Sequence, residues 1–323
     1  MKAILVHSVG GPEVLQYQET ELVEPGPLEV VVRNHAIGVN FTDIYSRSGI
    51  FPPGSLPFIP GKEAAGEVVA LGSAVAGFAV GDRVAFVETP GAYAELSVVP
   101  AHFLVHLPDS IAYDTAAACL LKGLTAQYLV RRTFKVEAGH IVLMHAAAGG
   151  VGRIVAQWAK HLGATVIGTV GSEAKKAVAQ RHGCDHVIDY QREDFVARVK
   201  EITAGQGCHV VYDSIGQATF PGSLDCLRPF GYFVSFGLAS GKIPPFDIML
   251  LLEKGSLFAT WPGLTMYLKD RADVVAMSDE LFSVILDGAV NIAPPRRLRL
   301  DEAADAHRRL EERSATDSLV LIP

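Results

Sequence analysis

The 323-residue sequence predicts an α/β protein that joins a β-rich domain to a doubly wound parallel sheet. Three observations lead there. The first third alternates short β-rich runs with turn residues. The middle alternates strand and helix patterns. A glycine-rich turn links the first strand of that middle region to its first helix. A chain of this length also exceeds one typical core and suits two domains.

The β-rich runs are KAILVHS (2–8), EVVVRNHAIGV (29–39), AGEVVALG (65–72), DRVAFV (82–87) and AYAELSVV (92–99). Gly and Pro punctuate them, as in GGPE, EPGP and FPPGSLP, and the spacing suggests a compact antiparallel domain. From Asp114 the pattern becomes helical through Lys122 and Phe134. HIVLMHA (140–146) is a buried-strand run. In 151–164, Val151, Ile154, Val155, Trp158 and Leu162 share one helical face. ATVIGTV (164–170) is the next strand, and Ser172 starts a helix. HVIDY (186–190), HVVYDS (209–214), GYFVSFG (231–237) and SLFATW (256–261) complete a sheet with helices between. The tail carries a long helix to about Asp287, an amphipathic helix (301–313) and a strand SLVLI (318–322) that returns to the first domain.

Composition narrows the function. Half of the residues are hydrophobic, a fifth are charged, and the formal net charge is −7. That balance disfavours a nucleic-acid or anionic-membrane surface. No apolar run reaches the roughly 18 residues of a membrane span. Ala3–Val6 is too short for a signal peptide. Cys119, Cys184, Cys208 and Cys226 form no CxxC pair and suit reduced thiols in a cytoplasmic protein.

In HAAAGGVG (145–152), Ala147, Gly149 and Gly152 take the key places of a G-x-G-x-x-G dinucleotide turn. Gly149 allows the backbone near a pyrophosphate, which the following helix attracts with its positive end. Gly152 lets helix and strand pack closely. Alanine fits at 147 if no positive φ is needed there. An NAD site carries Asp or Glu about 20 residues on, for the ribose 2′-hydroxyl. Here the second strand ends Val170-Gly171-Ser172-Glu173-Ala174-Lys175. The missing acid points to NADPH, with Ser172 and Lys175 meeting a 2′-phosphate. The alternative is Ser172 as a helix cap and Lys175 as a solvated side chain.

The stretch 139–160, with GGPEVL (10–15), AIGVNFTDIYSRSG (36–49), GKEAAGEV (61–68), GDRVA (81–85), KGLTAQYL (122–129), VYDSIG (211–216) and VSFG (234–237), resembles the zinc-independent quinone oxidoreductases. These form the zeta-crystallin-like branch of the medium-chain dehydrogenase/reductase superfamily. The resemblance implies a GroES-like catalytic domain of residues 1–123 and 262–323 and a Rossmann domain of residues 124–261, with substrate entering between them. It further implies that Asn40, Phe41 and Tyr128 lie near the nicotinamide and that Ala148, Gly149, Gly150 and Val151 hold the pyrophosphate. Gly171, Ser172, Lys175 and Tyr190 would surround the 2′-phosphate and adenosine. Ser214, Phe236, Gly237 and Leu238 would line the nicotinamide half, and Arg313 would reach in from the tail. Without the resemblance, Tyr128 and Phe236 suit core aromatics, Tyr190 a surface ring and Arg313 a helix-end cation. Members of this family commonly pair through the sheet edge near GYFVSFG, so a homodimer is expected. Some serve instead as lens crystallins or RNA binders; the acidic balance argues against RNA here.

Zinc-dependent relatives bind metal partly through a Gly-His-Glu motif. Here the motif reads Gly61-Lys62-Glu63, and a lysine cation opposes zinc. Lys62 either pairs with Glu63 or lines the cleft. His182, Cys184 and His186 are set about 6.6 Å apart along an extended chain, too far to share an ion. His102 and His106, flanked by prolines, are expected about 13 Å apart on a strand. No metal is expected.

Without zinc, an alkoxide is hard to stabilise. A hydroquinone is far less basic, with a pKa of roughly 10 like tyrosine. An apolar slot, a few donors and proximity then suffice. Quinone reduction is therefore the leading expectation, and reduction of an enone or alkenal double bond is the alternative. Tyr45 is a candidate donor to the substrate oxygen, or else it packs on the following loop. Asp43 reads as a helix-start or loop residue.

Overall fold

The computed structural model describes residues 1–312 and 317–323. The chain forms two compact units. One comprises Met1–Lys122, Leu268–Phe282 and Ile292–Pro323, the other Gly123–Tyr267 and Ser283–Asn291.

In the first unit, β1 (Lys2–Leu5) and β2 (Gln16–Glu19) form an antiparallel pair. The main sheet uses β3 (Glu29–Gly38), β4 (Glu63–Leu71), β5 (Arg83–Val87), β6 (Leu96–Pro100) and β7 (Leu104–His106). Alternating valines of β3 (Val30, Val32) and β4 (Val68) meet Ile4, Phe86 and Val99 in one core. That core closes over residues from the tail, Leu298, Leu319 and Leu321 among them. Helix α1 (Phe41–Arg47) begins at Asn40, where β3 ends, and α2 (Tyr113–Tyr128) follows β7.

The second unit holds β8 (Ile141–Met144), β9 (Thr165–Val170), β10 (His186–Asp189), β11 (Cys208–Asp213), β12 (Leu227–Ser235) and β13 (Phe258–Thr260). They form one six-stranded sheet in the order β10-β9-β8-β11-β12-β13. Every pair in it is parallel. In the sheet's own numbering this is 3-2-1-4-5-6, the doubly wound dinucleotide order, with its reversal point between β8 and β11. The near-continuous apolar runs of β8 and β11 suit strands covered on both faces. Helices α3 (Gly150–His161), α4 (Glu173–Arg181), α5 (Phe195–Ile202), α6 (Phe220–Asp225), α7 (Met249–Glu253) and α8 (Leu264–Tyr267) also fall in this unit.

The tail supplies α9 (Arg271–Leu286), β14 (Arg296–Arg299), α10 (Ala303–Glu311) and β15 (Leu319–Ile322). β15 pairs antiparallel with β3, so the chain does return to the first sheet. That sheet runs β14-β15-β3-β4-β5-β7, with β6 also on β3.

One difference from the sequence expectations has a clear physical cause. Gly123 and residues 262–267 and 283–291 belong to the second unit, not the first. Tyr267 stacks on Tyr128 with ring centroids 4.8 Å apart, and Asn291 N–H donates to Gln157 Oε1 at 2.9 Å. The edge strand is β13, and GYFVSFG lies one strand inside it, near the edge as expected. Among the described residues, no helix is long and apolar enough to cross a membrane.

Candidate active site

In the second unit, the residues expected to meet the cofactor lie at strand tips. After β8, Ala146 takes φ 53°, so the left-handed strain falls one residue before the template position. Ala147 is fully buried, and its N–H donates to Thr169 O on β9 at 3.0 Å. Gly168 on β9 makes room for it, since a Cβ at 168 would stand 2.7 Å from the Ala147 methyl. A methyl group serves at position 147 because the turn's strain lies elsewhere. Gly149 caps α3 in an extended conformation, and Gly150 and Val151 are its first helical residues. Their amides are at the end of the helix that attracts anions. At Gly152 a Cβ would meet Ala146 O at 2.4 Å and Ala147 Cα at 2.8 Å, which fixes glycine there.

The turn is pinned from beneath by buried side chains. His145 Nδ1 lies 2.8 Å from Thr169 Oγ1, and its Nε2 lies 3.0 Å from Ser223 Oγ. Burial holds the His145 imidazole below its ordinary pKa, so it stays neutral. Asp213, at the tip of β11, accepts from the Ser223 and Thr219 hydroxyls. Its other oxygen accepts from Ile215 N and Gly216 N at 2.8 and 3.0 Å, which shapes the loop that begins at Ser214. Gly237 packs against Ser214, where a Cβ would lie 2.8 Å from Ser214 O. Phe236 N–H donates to Asp213 O, so the 213–216 and 236–238 loops lie side by side, with Leu238 accepting from Gly241 N.

At the tip of β9, Gly171 leaves space for Tyr190: a Cβ there would stand 2.6 Å from Tyr190 Oη. Ser172 occupies the cap position of α4, yet among the described residues its side chain makes no capping bond. Its backbone oxygen accepts from Lys175 N at 3.0 Å. Glu173 is engaged by Lys176 at 3.5 Å and Arg192 at 3.6 Å, which offsets its charge beside the cluster. Gly171, Ser172, Lys175 and Tyr190 are thus brought together. Tyr128 is buried and stacked on Tyr267, the core-aromatic arrangement. Arg313 lies outside the described residues.

In the first unit, the expected catalytic residues gather around the start of α1. Asn40 is buried, and its Nδ2 donates to Glu63 Oε2 at 2.6 Å. Glu63 is fully buried and also accepts from Leu121 N at 2.9 Å. Lys122 Nζ stands 3.9 Å from the same Oε2. Burial raises the Glu63 pKa, and the Lys122 charge and the two donors oppose that rise. Phe41, Tyr45 and Phe51 form an aromatic cluster on the surface of this unit. Tyr45 lies 6.4 Å from Phe41 and packs edge-on against Phe51 at 5.5 Å. Phe51 N–H also donates to Tyr45 O, so Tyr45 packs on the following loop through two contacts that do not involve its hydroxyl.

Asp43 is the helix-start residue expected, with Oδ2 accepting from Asn40 N at 2.8 Å. It also begins a buried chain that sequence reasoning missed. Tyr93 Oη donates to Asp43 Oδ2 at 3.1 Å and lies 3.0 Å from His307 Nε2. Arg47 Nη1 lies 3.3 Å from His307 Nδ1. Arginine only donates, so Nδ1 accepts and Nε2 carries the proton to Tyr93. Burial and the Arg47 charge push His307 down to about 3. Burial pushes the Asp43 carboxyl up to about 7.

The motif Gly61-Lys62-Glu63 does not pair internally: Lys62 Nζ faces Glu88 at 3.6 Å. His182 Nδ1 is spent on Val178 O, and Cys184 packs against Gly168. His102 sits in a short 3-10 turn rather than a strand and bonds Leu268 O, while His106 ends β7 and bonds Gly77 O. Among the described residues, no three His, Cys, Asp or Glu side chains converge to hold a metal. All four cysteines are buried free thiols.

Residues 26–109 match the family described as alcohol dehydrogenase GroES-like domain, and residues 150–279 that described as zinc-binding dehydrogenase. Together they define a medium-chain dehydrogenase/reductase. The chain belongs to the quinone oxidoreductase family, the zinc-independent, zeta-crystallin-like branch of that superfamily. It is 50% identical to the quinone oxidoreductase of Pseudomonas aeruginosa, over 100% of this chain and 99% of that one. A Burkholderia 2-haloacrylate reductase is 44% identical, over 99% and 98% of the two chains. The crystal structure of Escherichia coli quinone oxidoreductase complexed with NADPH superposes with a TM-score of 0.98, at 44% identity and with both chains fully covered.

Proposed function

We propose that this chain reduces quinones with NADPH. The observation that carries the reading is the tip of β9. There the strand ends at Val170 and Gly171 follows without a carboxylate, the Ser172 hydroxyl is not used to cap its helix, and Tyr190 stands over the glycine. A 2′-phosphate fits this group, with Lys175 as its counter-charge, whereas an NAD ribose would find no acid to bond. The Pseudomonas and Escherichia coli relatives support the same cofactor and substrate class.

Bound NADPH supplies the hydride. The chain's own residues do the rest. Ala148, Gly149, Gly150 and Val151 hold the pyrophosphate at the start of α3. Ser214, Phe236, Gly237 and Leu238 line the nicotinamide half. Asn40, fixed by Glu63, orients the ring, and Phe41 stands beside it. Tyr45 donates to the substrate oxygen at the rim of the aromatic cluster. Reduction of a quinone yields a weakly basic oxygen, which donors and an apolar surface can stabilise without a Lewis acid. Lysine at position 62, held by Glu88, suits that chemistry rather than zinc ligation.

The 2-haloacrylate reductase relative favours a second reading, reduction of an activated carbon–carbon double bond. Product analysis with an α,β-unsaturated ketone separates the two. A steady-state assay with NADPH and NADH against small quinones tests the first. Turnover of quinones with NADPH preferred is the expected result; equal use of NADH refutes the cofactor, and no quinone turnover refutes the substrate.

The chain also acts as a homodimer in this reading. Its edge strand β13 is short and exposed, and Phe258 on it and Trp261 and Met266 beyond it show large apolar surface.

A further inference from the structure

Lys122 is a buried lysine whose ammonium is loosely held. Its Nζ has Val39 O at 3.5 Å and Glu63 Oε2 at 3.9 Å, both beyond the about 2.7–2.9 Å of a well-formed charge-assisted bond. Glu63 itself is tightly held, by Asn40 Nδ2 and Leu121 N. Asn40 and Lys122 therefore share one carboxylate oxygen, and Glu63 fixes both. The carboxylate keeps a cation in a place with little water, while among the described residues that cation's own hydrogen-bonding capacity is largely unspent.

We propose that Lys122 is a catalytic residue whose ammonium donates a hydrogen bond to the oxygen that becomes anionic as the quinone is reduced. The inference rests on the quinone reading above. In that reaction the quinone gains a hydride, two electrons with one proton, and becomes the hydroquinone monoanion as NADPH becomes NADP⁺. Water protonates the oxygen afterwards, so Lys122 keeps its own proton throughout. Glu63 and Asn40 are its positioning residues. A side-chain cation acts here where zinc-dependent relatives use a metal, and the benefit grows with the basicity of the oxygen formed.

The test uses the whole enzyme and the variants Lys122→Met, Lys122→Arg and the double variant Lys122→Met/Glu63→Gln. The double variant removes both charges and so covers the case in which Lys122→Met alone leaves Glu63 too strained to fold. A series of quinones whose hydroquinones differ in acidity is assayed with NADPH. Loss of the ammonium is expected to lower kcat/KM by about 10²–10³-fold for the most basic hydroquinone and progressively less for the more acidic ones. NADPH affinity is expected to hold, and Lys122→Arg to recover much of the loss. Independently of turnover, 4-nitrophenol bound to the wild-type enzyme is expected to ionise at a lower pH than in Lys122→Met or the double variant, read from the phenolate absorbance. A loss of the same factor for every quinone, no loss, or equal ionisation of the bound probe in wild type and variants overturns the proposal. If the wild-type enzyme reduces no quinone, the underlying substrate reading fails instead.

Discussion

The hydroxyl of Tyr93 donates to Asp43 Oδ2 across 3.1 Å, and both residues are buried. The same hydroxyl accepts from His307, so one phenol joins α1 to α10 beneath Asn40. Among the described residues Asp43 Oδ1 has no partner, so the carboxyl depends on the bonds at Oδ2. Tyr93→Phe removes a donor from Asp43 and an acceptor from His307. It is expected to cost about 1–3 kcal/mol in denaturant unfolding, because two buried polar groups lose a partner.

The two ends of this chain respond to pH in opposite senses. His307 drops from 6.5 to about 3 in the folded protein, so its contribution is complete above pH 6.5 and is lost as pH falls towards 3. Asp43 rises from 3.8 to about 7, so its contribution is complete below pH 3.8 and is lost as pH rises through 7. Asp43→Asn should therefore cost more stability at pH 5 than at pH 8, and His307→Gln more at pH 8 than at pH 5. Each difference should approach about 1.4 kcal/mol per pH unit inside its window. Urea unfolding of wild type and both variants at the two pH values checks the signs.

The nucleotide cradle separates two kinds of glycine. At Gly152 an added methyl meets backbone at 2.4 Å, so Gly152→Ala is expected to lower stability by about 1–3 kcal/mol and weaken NADPH and NADH alike. At Gly171 the obstacle is the far end of Tyr190. Gly171→Ala is expected to fold normally while losing preference for NADPH. Thermal melts and fluorescence titrations with each coenzyme distinguish them.

Lys175 offers a sharper test of the same pocket. Lys175→Ala is expected to weaken NADPH by about 10- to 100-fold, the range for a lost hydrogen bond to a charged group, with NADH little changed. An equal effect on both coenzymes would place Lys175 away from the 2′-phosphate.

For self-association, light scattering should give twice the chain mass. Charged substitutions at Phe258 and Trp261, both about half exposed, are expected to shift it to the single-chain mass.

Much of this was legible in the sequence because local patterns carried it. The β8–α3 turn shows a buried strand, small residues and an amphipathic helix in succession, and the missing acid after Val170 follows directly from the residue order. The strain at Ala146 was not legible, because the motif directs attention to the template position at 147. The chain from Asp43 through Tyr93 to His307 was not legible either. Its members lie far apart in sequence, follow no motif, and meet only when α10 packs back on the first sheet. Lys122 opens the stretch KGLTAQYL, yet its partner Glu63 lies 58 positions from the neighbouring Leu121 that binds it. Only folding reveals that a cation occupies that place.

Steady-state turnover of a small p-quinone, measured with NADPH and with NADH in the presence of a strong metal chelator, tests the central claim most directly. The account predicts chelator-resistant reduction to the hydroquinone with NADPH clearly preferred. Activity that disappears with the chelator and returns on adding zinc, or turnover that favours NADH, would contradict it.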